Sequence, residues 1–264
     1  MTVERGWRIA LRTLALAYLA LLLLAPVGLV FYRTFEHGVM AVWDSITTPA
    51  AISAFWLTIE VTAIAVPLNT IFGVLCALVL ARGRFRGKAL LDAIIDLPFA
   101  ISPIVVGLAL VLLFGRGGWL GDLPFQVIFS FPGIVLATIF VTLPFVVREV
   151  TPVLREIGDE QEQAASTLGA DNWQTFWRIT LPAIRWGVAY GVILSVARSI
   201  GEFGAVSVVS GKISGETETL TLLVEKRFAN FDIAGAYAAS GLLAVIALTT
   251  LVVMTLSNAR RDET

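Results

Sequence analysis

Residues 163–182 read QAASTLGADNWQTFWRITLP, a largely polar stretch set between two long apolar runs. Its first half carries Ala164 and Ala165, small enough for another surface to approach closely, and Gly169 at the place where a left-handed C-cap closes a helix. Asp171 or Asn172 then offers an N-cap to a second, short helix whose Trp173, Phe176 and Trp177 fall at i, i+3 and i+4 on one face. Leu181-Pro182 opens the next apolar run. Upstream, Thr151 stands as an N-cap with Pro152 at the first helical position, and the interior Gly158 leaves open one helix or two short ones. From periodicity alone, two readings of the aromatic face are level: an amphipathic element lying among lipid headgroups, and a helix that docks into a groove on another protein.

The flanking runs decide the solvent. Hydrophobic residues make up 57% of the 264 and charged residues 15%, against about 45–50% and about 25% in soluble domains. The mean hydropathy is +0.85. Such a chain is an integral membrane protein. Apolar runs at about 9–32, 55–80, 94–114, 127–147, 186–209 and 233–256 each reach the roughly 20 residues that a helical crossing needs. The expectation is an all-α membrane protein with six transmembrane helices in one domain over 1–264, and a loop at about 148–185 that holds the opening stretch. The first run, after Arg5, Arg8 and Arg12, is longer than a signal-peptide core and lacks a small-x-small cleavage site, so it reads as a retained crossing.

Cations orient the chain. With the N-terminus in the cytoplasm, the inner segments hold Arg5, Arg8, Arg12, Arg82, Arg84, Arg86, Lys88, Arg148, Arg155, Arg178, Arg185, Arg260 and Arg261, and the outer ones only Arg33, Arg116, Lys212, Lys226 and Arg227. That asymmetry puts both termini and the 148–185 loop inside. The net charge of -1 gives no sign of a nucleic-acid partner, and the lone Cys76 forms no intrachain disulfide.

QAASTLGADNWQTFWRITLP resembles the cytoplasmic motif of ABC-importer permeases, in which Glu-Ala-Ala is followed by three residues, Gly, nine residues and Ile-x-Leu-Pro. Ala164, Ala165, Gly169, Ile179, Leu181 and Pro182 match at the family spacing, and Gln163 stands where the family commonly has Glu. The resemblance implies a type I importer architecture in which this element is a coupling helix fitting a cleft on an ATPase subunit. Gln163 keeps hydrogen-bonding capacity without charge, so a salt bridge from that position is lost while the turn and the small-residue face remain. The chain's nearest approach to a phosphate loop, GRFRGK at 83–88, has three residues between its glycines rather than four and Ala89 after the lysine. It reads as a basic loop. No catalytic residue, metal site or cofactor is expected here; ATP and Mg belong to the ATPase.

A second stretch, SVARSIGEFGAVSVVSG at 195–211, places Arg198 and Glu202 inside an apolar run. At 100° per residue, Ser195, Arg198, Ser199 and Glu202 share a face with Gly191, Val206 and Val209. Charges at that depth mark either an i,i+4 ion pair that fixes packing or the wall and gate of a path. Were the path to carry an anion, Arg198 would offset its desolvation and Glu202 would keep it from binding too firmly. Pro98, Ser102 and Pro103 break regular hydrogen bonding in LPFAISPIVVGLAL at 97–110, which is tolerated in a membrane only beside protein or a cavity. This break either lines the path or kinks the helix for packing. Glu60, Asn69 and Asp96 are read as makers of helix–helix hydrogen bonds.

ARSIGEFGAVSVVSGKISGETETL, at 197–220, is similar to oxyanion-importer permeases of the sulfate/thiosulfate, CysW-like type. The resemblance implies a heterodimer with a second, CysT-like permease, two ATPase subunits, an extracytoplasmic sulfate-binding protein, and alternating access in the bacterial cytoplasmic membrane. Molybdate or tungstate remains an alternative substrate. A secondary anion transporter or channel is the alternative of another class, and would not need the Ala-Ala to Leu-Pro element. An intramembrane enzyme lacks support: the one histidine, His37, lies outside, and neither HExxH nor GxSxG occurs.

Overall fold

A computed structural model describes the backbone of residues 2–261, with side chains from residue 7 onward except 9, 251 and 253–261. Arg5, Arg260 and Arg261, counted among the inner cations, have side chains outside that set. Among the described residues all regular structure is helical. Five helices are long and apolar enough to cross a membrane: Ala10–Phe35, Pro49–Arg82, Phe131–Glu156, Asn172–Ile200 and Ile233–Thr250. The sixth crossing, third in order, is a pair, Lys88–Ala100 and Pro103–Phe114, bent by 110° at Ile101-Ser102. With the bent pair counted as one span, the spans number six.

Packing follows from small residues. The second, fourth and fifth crossings meet where a Cβ on Gly73 would lie 2.8 Å from Val146 Cβ and one on Gly191 would lie 2.8 Å from Val146 Cα. Lipid tails are as apolar as leucine, so association in a bilayer depends on such close approach rather than on a hydrophobic drive. Around this contact Val74, Ala77, Leu80, Val147, Val150, Leu154 and Ile184 form one core cluster. One polar side chain links the second and fourth crossings. Asn69 Nδ2 donates to Thr142 Oγ1 (2.7 Å) and Ile139 O (2.9 Å), the helix–helix link expected of it.

Three local expectations fail. The fourth crossing runs Phe131–Glu156 instead of 127–147, so Thr151 is a buried residue inside it and not an N-cap, with Pro152 likewise internal. Cap residues and proline carry the same signal in the middle of a long helix, where neighbouring helices compensate for the lost hydrogen bond. The helix ends near Gly158, which takes φ +65°. The aromatic segment is not a separate short helix: it is the start of the fifth crossing, carried past Leu181-Pro182 by a five-residue π turn at Phe176–Thr180. The wider turn accommodates a ring that an α-turn would crowd. The fifth crossing stops at Ile200, not 209, and the chain resumes in a single turn at Val206–Val209. The segments assigned to the outer side hold the helices Val39–Ile46 and Leu220–Ala229, joined by Arg227, which donates to Ser45 O (2.9 Å) and Thr48 Oγ1 (2.9 Å).

The two broken crossings fit into each other. A Cβ on Gly204 would lie 2.8 Å from Pro103 Cβ, and one on Gly107 would lie 2.8 Å from Ala205 O and from Val208 Cβ. Overpacking of this kind costs about 1–3 kcal/mol. Gly204→Val is therefore expected to lower the thermal midpoint of the detergent-purified chain and its folded yield. Gly28→Ala, with nothing within 4 Å of the added methyl, should leave both unchanged; equal melting of the two variants would refute the interlock.

Candidate functional site

Two regions carry the residues singled out from the sequence. At the basic end, the helix Glu160–Thr167 is closed by Gly169 at φ +88°, with Ala170 N donating to Ala165 O at 3.0 Å. Asp171 caps the next helix, accepting from Gln174 N at 2.7 Å. Both expected caps are present. Gln163, Ala164 and Pro182 are exposed, Ala165 is buried, and Ile179 and Leu181 are half-buried. The three aromatic rings touch one another, Trp173 to Trp177 at 5.5 Å and Phe176 to Trp177 at 5.4 Å between centroids. They do not form one outward face. Phe176 packs on the core cluster, while Trp173 and Trp177 stay 69% and 50% exposed and Leu168 88%.

A single guanidinium holds this element to the bundle. Arg82, the last residue of the second crossing, reaches Glu162 through Nε (3.1 Å) and Nη2 (3.2 Å). It also donates to Leu154 O (2.8 Å) and Gly158 O (2.5 Å) at the end of the fourth crossing. The Thr180 hydroxyl donates to Glu162 Oε1 at 2.9 Å from the fifth. Arg82, Glu162 and Thr180 escape sequence reasoning, because contacts 80 and 18 residues apart leave no local pattern. The available hint was a carboxylate beside the Ala-Ala pair with a cation ending an apolar run.

Toward the opposite end, Arg198 Nη1 lies 2.7 Å from Glu202 Oε2, with side-chain exposures of 32% and 1%. Arg198 occupies the last turn of its helix, where a cation complements the exposed carbonyls. Glu202 lies in the break beyond, its Oε1 accepting from Ala205 N at 2.9 Å and its carbonyl from Thr221 Oγ1 at 2.8 Å. The expected common face divides. Ser199 and Glu202 border a void of about 10 Å³ beside Thr58 and Thr138, and Ser195 is fully buried. Arg198 opens instead onto a concavity of about 430 Å³, which Pro98, Ser102 and Pro103 of the bent third crossing also line. Asp96 and Asp92 of that crossing pair with Arg148 of the fourth, the Asp92 contact at 3.0 Å, whereas Glu60 is exposed and has no partner among the described residues.

Comparison with known proteins agrees with this geometry. Residues 69–262 match the family model described as the binding-protein-dependent transport system inner membrane component. The sulfate transport system permease protein CysW of Synechocystis is 54% identical over 243 residues, covering 90% of this chain and 88% of its own. The CysW of Escherichia coli K12 is 47% identical over 88% and 81% of the two chains. The E. coli K12 CysT permease is 39% identical over 93% and 92%. A chain in the crystal structure of a bacterial ABC transporter involved in the import of the acidic polysaccharide alginate superposes with a TM-score of 0.78, covering 99% of this chain and 97% of its own at 17% identity. That likeness concerns the fold.

The clamp predicts a local stability change. Hydrogen bonds to charged groups contribute about 1.5–3 kcal/mol each, and Glu162→Ala removes three from the element. Amide hydrogen exchange over 160–169 should accelerate by at least about tenfold in Glu162→Ala, with the second crossing protected as before. Unaltered exchange in 160–169 would show that the helix is held by packing alone.

Proposed function

Because the chain belongs to the family of binding-protein-dependent transport system inner membrane components, we propose that it is a pore-forming subunit of an ATP-driven sulfate importer. The observation that carries this reading is the anchored element at 160–182, presenting Leu168, Trp173 and Trp177 to solvent while Arg82 fixes its back. A transporter run by an ion gradient has no use for such a surface, and an ATPase subunit does. Sequence identity to permeases named for sulfate supports sulfate or thiosulfate over molybdate or tungstate.

The assembly follows from the same reading. Similarity to both CysW and CysT permeases supports a heterodimer of two related halves. Two ATPase subunits receive one coupling helix from each half and hold the ATP and Mg. An extracytoplasmic binding protein delivers the anion. The basic end faces the cytoplasm, with both termini there, in a bacterial inner membrane. Closure of the ATPases on ATP draws the coupling helices together and turns the path outward; hydrolysis returns it inward. The chain itself supplies no catalytic group.

Uptake of labelled sulfate tests this in cells that lack the chain and every other sulfate importer. Restoring the chain should restore uptake, with weak competition from molybdate. Gly169→Arg should not, although it reaches the membrane: a Cβ at φ +88° meets no atom within 4 Å, so the change costs about 1–2 kcal/mol of backbone strain and sets a bulky cation on the docking face. No uptake on restoring the chain would reject sulfate. Full activity of Gly169→Arg would reject docking through this loop.

A further inference from the structure

Resting on the sulfate-importer reading, we infer that Arg198 is the permease's own binding group for a tetrahedral divalent oxyanion, at a site formed where the bent third crossing meets the broken fifth. The ion pair is asymmetric in a way that packing does not require. Glu202 is 1% exposed and Arg198 32%, so the anionic end is sealed into protein and the cationic end is turned toward open space. That space is the concavity of about 430 Å³, in which Arg198 is the one charged lining residue among the described residues. The remaining wall is Phe99, Ile101, Val141, Phe145 and the prolines beside Ser102, which offers water little to bind and leaves the field of the guanidinium poorly screened.

Donors converge on the same space. One nitrogen of Arg198 is engaged by Glu202, and a guanidinium has five N–H groups in a fork that suits two oxygens of an oxyanion. Ser102 begins the helix Pro103–Phe114 with an exposed hydroxyl that makes no capping bond. A bound oxyanion therefore meets the N–H groups of Arg198 on one crossing and the Ser102 hydroxyl on the other.

Glu202 sets the strength of that binding. Its Oε1 is held by Ala205 N, which fixes its Oε2 against Arg198. An incoming anion has to share the guanidinium with a carboxylate that cannot move away, so the site releases what it accepts. Transport needs binding favourable enough to enter and weak enough to leave. Both crossings are broken at this point and interlock through Pro103, Gly107 and Gly204, so a shift of either changes the width of the site.

The test uses the whole complex in proteoliposomes. A Ser102→Cys variant in a Cys76→Ala background is treated with a small anionic thiol reagent, with and without sulfate and with chloride at matched ionic strength. Sulfate should slow modification at least about threefold and chloride should not, and adding Arg198→Gln should abolish the protection. In transport, Arg198→Gln should cut sulfate uptake by at least about tenfold while ATP hydrolysis stimulated by loaded binding protein stays within about twofold. Arg198→Lys should recover part of the uptake, which a purely structural pair would not separate from hydrolysis. Glu202→Gln should protect Ser102→Cys at lower sulfate concentration and turn over more slowly. Wild-type uptake in Arg198→Gln, or protection that persists without the arginine, overturns the site. Should the unmodified complex hydrolyse ATP yet import no sulfate, the sulfate reading fails separately; protection by molybdate that depends on Arg198 would then still support the site, and its absence with both anions would overturn it.

Discussion

Backbone polar groups in a hydrocarbon core must find partners inside the protein, and two of the six crossings in this chain interrupt their own helices. The structure tolerates both interruptions because it places them against each other. Gly204 lies against Pro103, Gly107 lies against Ala205 O and Val208, and neither glycine has room for a methyl group. Beside that contact, groups freed by the break after Ile200 find partners. Glu202 Oε1 takes the Ala205 amide, Thr221 takes the Glu202 carbonyl, and Arg198 sits over the C-terminal turn at Ile200. Separating the two breaks would strand these groups in lipid at a cost of several kcal/mol each. The charged pair is thus part of how the break is stabilised as well as a feature of its surface.

The opposite end depends on one residue in a different way. Arg82 gathers the end of the second crossing, the end of the fourth and Glu162, while Thr180 adds the fifth. A force applied to Glu160–Thr167 reaches three crossings through short, charge-assisted bonds. It then meets the tight packing of Gly73 and Gly191 on Val146, a contact with no slack to absorb it. The fifth crossing completes the connection. Asn172–Ile200 is one helix of 29 residues, roughly 43 Å long at 1.5 Å per residue, with Trp173 and Trp177 at one end and Arg198 at the other. Had the chain broken at Leu181-Pro182, a hinge would separate the exposed tryptophans from the ion pair. The π turn at Phe176–Thr180 removes it.

What the sequence disclosed was whatever depends on neighbours along the chain. Membrane class followed from runs of apolar residues, Gly169 and Asp171 from cap chemistry, and the 198–202 pair from helical spacing. The bend at Ile101-Ser102 was legible in Pro98, Ser102 and Pro103. The break after Ile200 was not, since Gly201 and Gly204 are acceptable in a membrane helix and only Pro103, a hundred residues away, makes the alternative stable. The same limit hid the Arg82–Glu162 clamp and produced the false cap at Thr151, where a strong local signal was overridden by a helix packed on three sides. Ser195 and Ser199 were grouped with Arg198 by an angular sector that ignores which neighbour fills each side; the second and fourth crossings cover the serines and leave the arginine open.

The substitution of Gln163 for the glutamate common in the family gains a meaning from the clamp. A carboxylate is present one residue earlier, at Glu162, but it points inward and is consumed by Arg82 and Thr180. Asp171 spends its carboxylate on the Gln174 amide. Exposed on this element are Gln163, Ala164, Leu168, Trp173 and Trp177, with the carboxylate of Glu160 at its start. On the proposed function, docking here rests on burying aromatic and aliphatic area, and large apolar anchors such as tryptophan commonly dominate binding energy at interfaces. The Glu162 and Asp171 carboxylates act within the subunit, so on that reading the loss of charge at 163 removes an accessory contact and leaves both the anchor and its support in place.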